Sequence, residues 1–158
     1  MEGRDPEPGM RLISTIRYSK LDVARRMLQY TNAGHHPPCI LGGDESESWL
    51  TEGGPVVGLL PDASYQTASA VLCPGDVLIL YTDGVIEPEN AHGEQFSITR
   101  LVEVARTNMK RTAQELVRAI HSSVIAFAGT HELSDDLTLL VVKVLPEGER
   151  IESGHAPG

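Results

Sequence analysis

Three carboxylates stand where a carboxylate is costly. Asp83 follows the apolar run Val77-Leu78-Ile79-Leu80-Tyr81, one residue after Thr82, and is itself followed by Gly84. Asp135 and Asp136 directly precede a second apolar run that begins at Leu137. A charge at the mouth of a buried strand pays for lost hydration unless a partner or solvent at the sheet rim restores it. Two adjacent carboxylates also repel one another. A divalent cation would relieve both costs, because Mg²⁺ and Mn²⁺ prefer carboxylate, carbonyl and water oxygens. Gly84 would let the backbone turn sharply or approach a ligand closely. On residue type alone, solvated turns at both places explain the pattern as well, since Asp-Gly is a common strand-ending turn. The two readings part on one point: if the two strands are neighbours, Asp83, Asp135 and Asp136 converge, and with Gly84 they form a candidate metal site.

The elements that must position these residues follow from periodicity. The chain has 158 residues, which suits one domain. Residues 1–9 read as a flexible lead. Strands are expected over Met10–Ser19 and Arg26–Ala33, joined by a turn at Lys20–Ala24 into a hairpin. Further strands are expected at Cys39–Leu41, Trp49–Thr51, Tyr65–Leu72, Val77–Tyr81 and Leu137–Leu145. Cys73-Pro74-Gly75-Asp76 has the residues of a tight turn. Apolar residues spaced by three and four predict helices over Thr99–Asn108 and Ala113–Ala128. Thr112 with Glu115 makes a capping-box pattern, and Gly129 is a C-terminal stop. Residues 146–158, rich in Glu, Gly and Pro, read as a disordered tail. Strands, then two helices, then a strand make an α+β fold.

Bulk properties narrow the function. With a net charge of −9, a nucleic-acid partner is not expected. No apolar run reaches the ~20 residues of a membrane span, and the N-terminus does not read as a secretory signal, so a cytoplasmic location is expected. Cys39 and Cys73 read as reduced thiols. Together with His35 they have the residue types of a zinc site but lack a second closely spaced pair.

Four segments, in one order, resemble the PPM-type metal-dependent serine/threonine phosphatases of the SpoIIE-like branch. They are Asn32-Ala33-Gly34-His35-His36-Pro37-Pro38; Pro74 to Glu87, which contains Thr82-Asp83-Gly84; Gly93-Glu94-Gln95-Phe96; and Ser134-Asp135-Asp136-Leu137-Thr138. The likeness covers about residues 10–145. It implies a PPM-like sandwich of antiparallel sheets flanked by helices, with two Mn²⁺ or Mg²⁺ ions at one rim activating a water. It implies Asp83 and Asp135 as metal ligands, with Asp136 beside them in a supporting or exchanged role. It also implies a structural role for the His-Pro segment and, as substrate, a phosphorylated regulatory protein of the anti-anti-sigma type.

The likeness departs at the start. The family's early "GGD-x-x-D" and "D-[VI]-[SM]-G-x-G" stretches have no counterpart upstream of Met10. Gly42-Gly43-Asp44 resembles the first but sits in a polar loop and reads as a turn. The expectation is therefore a domain lacking the first strands and helix, with weak metal binding and an exposed sheet edge through which copies could associate. A non-catalytic interaction module is the rival reading.

Overall fold

The computed structural model describes residues 13–129 and 136–146. They form two four-stranded sheets and three helices, an α+β fold. The chain divides into two compact units, Met1–Pro37 with Leu50–Val71 and Pro38–Trp49 with Leu72–Gly158.

The first unit is built on β2 (Met27–Ala33), which pairs antiparallel with β1 (Ile16–Asp22) along its whole length. Leu28, Tyr30 and Asn32 alternate along β2 and are buried on one face, as the period of two in a strand requires. The expected hairpin is present, but its turn lies later than Lys20–Ala24. Asp22 closes β1 by accepting a hydrogen bond from the Arg25 amide at 2.9 Å, and Arg26 takes a left-handed φ of 52° before β2 begins. Strand β1 begins at Ile16 rather than Met10; residues 10–12 lie outside the described residues. On its other side β2 pairs antiparallel with β6 (Ala68–Val71) and, for two residues, parallel with β5 (Gly53–Gly54). That parallel pair departs from the expected all-antiparallel sheets. It exists because position 53 is glycine: a Cβ there would sit 1.8 Å from the Asn32 carbonyl oxygen.

Asn32 also fixes the turn that follows. Its side-chain Nδ2 donates to the His35 carbonyl at 2.7 Å, and its side-chain Oδ1 accepts from the His35 amide at 2.9 Å. Gly34 bridges the two with a φ of 73°. The Asn-Ala-Gly-His segment is thus a side-chain-templated turn.

The second unit holds the sheet β4-β3-β7-β8, with β3 at Cys39–Leu41, β4 at Glu47–Trp49, β7 at Val77–Tyr81 and β8 at Leu139–Lys143, all antiparallel. Strand β4 forms at Glu47–Trp49 rather than Trp49–Thr51, because the register pairs Trp49 with Cys39 and Glu47 with Leu41. Likewise β6 and β8 are shorter than their apolar runs. β7 is interior, and Val77, Leu78, Ile79 and Tyr81 are all buried. Each such side chain contributes about 1.5–3 kcal/mol when taken out of water.

Three helices belong to this unit: α1 (Asp83–Ile86), α2 (Ser97–Thr107) and α3 (Ala113–Ala128). Leu101 and Ala105 of α2 and Leu116, Ile120 and Val124 of α3 join Cys39, Val77 and Ile79 in one core. The capping box is formed as read: the Glu115 amide donates to Thr112 Oγ1 at 3.2 Å, and the Thr112 amide donates to Glu115 Oε2 at 2.9 Å. Those bonds hold the Glu115 carboxyl below the usual carboxylate range. Phe96 and Phe127 meet edge to face at 5.5 Å, with the Arg100 guanidinium 4.6 Å from the Phe127 ring centre.

Cys39 is fully buried in this core, and burial pushes its thiol up to about 12, whereas Cys73 is exposed. A protonated, enclosed thiol is neither a good zinc ligand nor a nucleophile. Iodoacetamide at mildly alkaline pH is therefore expected to label Cys73 in the native chain and Cys39 only after denaturation, as read by peptide mass. The sign of the pH effect follows. The unfolded thiol ionises near 9 and the folded one near 12, so stability falls as pH rises across that window. Native-state labelling of Cys39 as fast as Cys73 would refute this packing.

Candidate metal-binding rim

The two apolar strands that precede and follow the candidate aspartates are neighbours. β7 and β8 pair antiparallel, Tyr81 opposite Leu139, so the end of β7 and the start of β8 share one rim of the sheet. Beyond that last pair one backbone bond continues, and a single side chain supplies the rest. The Thr82 hydroxyl donates to the Asp136 carbonyl at 3.0 Å and accepts from the Thr138 amide at 3.0 Å, while the Thr82 amide donates to the Thr138 carbonyl at 3.1 Å. Asp83 and Asp136 are thereby anchored through their immediate neighbours to the same latch.

Asp83 does not end its strand in a simple Asp-Gly turn. It opens α1, which the apolar pattern did not reveal because the helix is four residues long. Thr82 takes the N-cap position with an extended backbone, yet makes no side-chain cap bond, since its hydroxyl is committed to the neighbouring strand. Asp83 is half-buried. One carboxylate oxygen accepts from the Gly84 amide at 3.1 Å, and the Asp83 carbonyl accepts from the Glu87 amide at 2.9 Å. Gly84 is buried. The residue four positions on is Pro88, which has no N–H to give, so continuation of the helix offers the Gly84 carbonyl no donor.

The outcome for the four candidates is uneven. Asp83 and Gly84 sit at the rim, half-buried and buried. Asp136 is exposed beside them in sequence-distant chain, and Asp135 lies outside the described residues. Among the described residues no three His, Cys, Asp or Glu side chains gather into a cation cage. The donors present fit a hard cation in kind, being carboxylate and carbonyl oxygens; two carboxylates with waters suit one such ion and are few for a pair. Gly42-Gly43-Asp44 forms the β3–β4 turn: Asp44 accepts from the Ser46 amide at 3.0 Å, and hydrogen bonding from Ser46 holds its carboxyl below the usual range.

Thr82 and Thr138 are the residues that reading for carboxylates passed over. A threonine adjacent to the strand-ending aspartate, and another two residues after the second pair, were the available signal. Thr82→Val keeps the shape and removes the hydroxyl, leaving the Thr138 amide without its acceptor. The bonds are solvent-exposed, so the expected loss is about 0.5–1.5 kcal/mol of stability in denaturant unfolding, with the Thr138 amide exchanging faster in hydrogen exchange. Unchanged protection of Thr138 would show that the hydroxyl does not hold the rim.

The SpoIIE family profile, described as Stage II sporulation protein E, matches residues 4–145. Among curated proteins, the chain is similar to Protein IcfG of Synechocystis sp., 31% identical over 133 residues that are 84% of this chain and 21% of that protein. It is similar also to the phosphoserine phosphatase RsbU of Bacillus subtilis, 30% identical over 82% of this chain and 38% of that protein. The chain thus spans well under half the length of these relatives. Among solved structures, the PP2C domain of SiaA from Pseudomonas aeruginosa superposes with a TM-score of 0.71 at 23% identity, over 82% of this chain and 51% of that one. That likeness carries the fold.

Proposed function

The chain belongs to the SpoIIE family, and on that premise we propose that it is part of a PPM-type, Mn²⁺- or Mg²⁺-dependent phosphatase domain acting on phosphoserine or phosphothreonine of a regulatory protein. A phosphorylated anti-anti-sigma-type protein is the substrate class we favour, by the resemblance of the motifs. The observation that carries the reading is the Thr82 latch, which ties the chain next to Asp83 to the chain next to Asp136 at one sheet rim.

In this reading Asp83, Asp135 and Asp136 supply carboxylate oxygens for the cation, and the Gly84 carbonyl is available beside them. A bound divalent ion supplies Lewis-acid stabilisation for charge that develops on the transferred phosphoryl group. The chain's own part is to hold negative oxygens at a rim where water and substrate reach them. Half-burial of Asp83 limits its motion, the Gly84 amide orients one of its oxygens, and Thr82 keeps both strands' ends in step. No side-chain nucleophile is required. The short donor set favours one second reading, a non-catalytic interaction module. Among the described residues no helix is long and apolar enough to cross a membrane.

Two experiments test these readings. Mn²⁺ binding, followed by calorimetry, is expected to be weak in this chain and weaker still in Asp83→Asn. Phosphate release from a phosphoserine peptide is expected to need Mn²⁺ or Mg²⁺ and to rise when the family's early aspartate-bearing segment is joined at the N-terminus. Asp83→Asn in that extended chain should lose roughly 100-fold or more, the scale for removing one charge-stabilising group. Tight binding of two ions by the unextended chain, or full activity of extended Asp83→Asn, would overturn the site. An extended chain inert with either metal on several phosphoproteins would favour the interaction module. We also propose self-association through β1, whose pairing among the described residues is with β2 alone and whose Ile16 and Tyr18 are exposed. Sedimentation should then show a dimer that Tyr18→Lys dissociates; a monomer at all concentrations would dispose of the idea.

A further inference from the structure

On a chain of net charge −9, positive side chains collect at one place in the second unit. A cleft of about 1060 Å³ is lined by Arg106, Lys110 and Lys143, with backbone at Gly42, Gly43 and Gly75; Glu45 is the acidic residue among those lining it. It lies at the end of the sheet away from Asp83. β3 runs into Gly42, β7 starts after the Gly75 turn, and β8 finishes at Lys143, whereas Asp83 follows the opposite end of β7. A five-residue strand separates the two ends by roughly 16 Å.

Two of the three cations are held in place before any ligand arrives. Lys143 Nζ donates to the carbonyls of Met109, at 2.7 Å, and of Arg111. Both acceptors are neutral, so its positive charge is oriented without being cancelled. Arg106 donates to the Ser46 carbonyl at 2.9 Å and stands 3.6 Å from Glu47, which offsets part of its charge. Lys110 is exposed at the cleft. Fixing charges in advance lowers the ordering cost of binding. The three cations come from different walls: the last turn of α2, the connection after it, and the end of β8. The space between them far exceeds a single phosphate or carboxylate. In the floor Gly43 and Gly75 pack backbone against backbone, and Gly42 is closed in by the side chains of Asp44 and Ser46.

We propose that this cleft binds an acidic peptide segment of a protein partner, its carboxylates meeting Arg106, Lys110 and Lys143. The proposal does not rest on the metal reading of Asp83. The probe is a fluorescein-labelled peptide of alternating Glu and Gly, titrated with the full chain and followed by anisotropy. Binding should weaken as salt rises, and a Lys-Gly peptide should not bind. Lys110→Glu and Thr107→Glu, both at exposed positions of the cleft, should each weaken binding about five-fold or more. Lys20→Glu, on the exposed face of β1 in the other unit, should leave it unchanged. Thermal melts of the variants separate lost binding from lost folding, and two independent positions guard against either one failing to fold. The proposal is overturned by absence of binding at low salt, by equal loss in Lys20→Glu, or by binding that appears only in a chain ended at Pro146. The last result would assign the cleft to the chain's own C-terminal residues.

Discussion

Strand β7 is the element on which the second unit depends. It is an interior strand, paired on both sides, and its Val77, Ile79 and Tyr81 side chains are withdrawn from water against helices α2 and α3. A strand so enclosed must hand its backbone hydrogen bonds to neighbours throughout, because an unpaired buried amide costs as much as a lost hydrogen bond. Past Tyr81 one more backbone bond joins the Thr82 amide to the Thr138 carbonyl, and the Thr82 hydroxyl then takes both roles, donor to Asp136 and acceptor from Thr138. One side chain at the end of β7 thus serves two backbone groups of the chain that enters β8.

The same economy recurs at the other polar positions. Asn32 is buried in the first unit and completes the backbone of His35 by giving one hydrogen bond and taking another. Asp76 is buried and accepts from the Cys73 amide at 2.7 Å, closing the turn that feeds β7. Thr112 and Glu115 satisfy each other's amides at the head of α3. In each case one short polar side chain substitutes for a strand or helix partner that the backbone lacks. Asp83 differs: one of its oxygens is satisfied locally by Gly84, and the carboxylate remains at a surface a ligand can reach. That contrast separates a structural carboxylate such as Asp76 from a candidate ligand.

Charge distribution adds a second layer. The rim at one end of the sheet presents carboxylates, while the cleft at the other presents Arg106, Lys110 and Lys143. Both follow from the antiparallel order β3-β7-β8. That order places the end of β7 and the start of β8 together at one end, and the start of β7 with the ends of β3 and β8 at the other. The two ends differ in balance: carboxylates stand at the rim, whereas the cations of the cleft are offset only in part by Glu45 and Glu47.

Much was legible before any coordinates. The apolar run at 77–81 announced a strand buried on both faces, the three-and-four spacing gave α3 its bounds, and Thr112 with Glu115 declared its cap. These signals lie within a few residues, and local sequence carries them in full. The placement of Asp83 at a strand end was legible too, for the same reason. What local sequence could not carry was contact between distant segments. The latch joins Thr82 to residues 54 and 56 positions away, and the parallel pairing at Gly53 depends on an approach to Asn32. The shortening of β6 and β8 relative to their apolar runs, and the shift of β4 toward Glu47, reflect where partners stop, since a strand is as long as its neighbour allows. Helix α1 is too short for periodicity to register. The chemical character of the rim was thus written in residue types, and its assembly was decided by hydrogen bonds that only the folded chain can close.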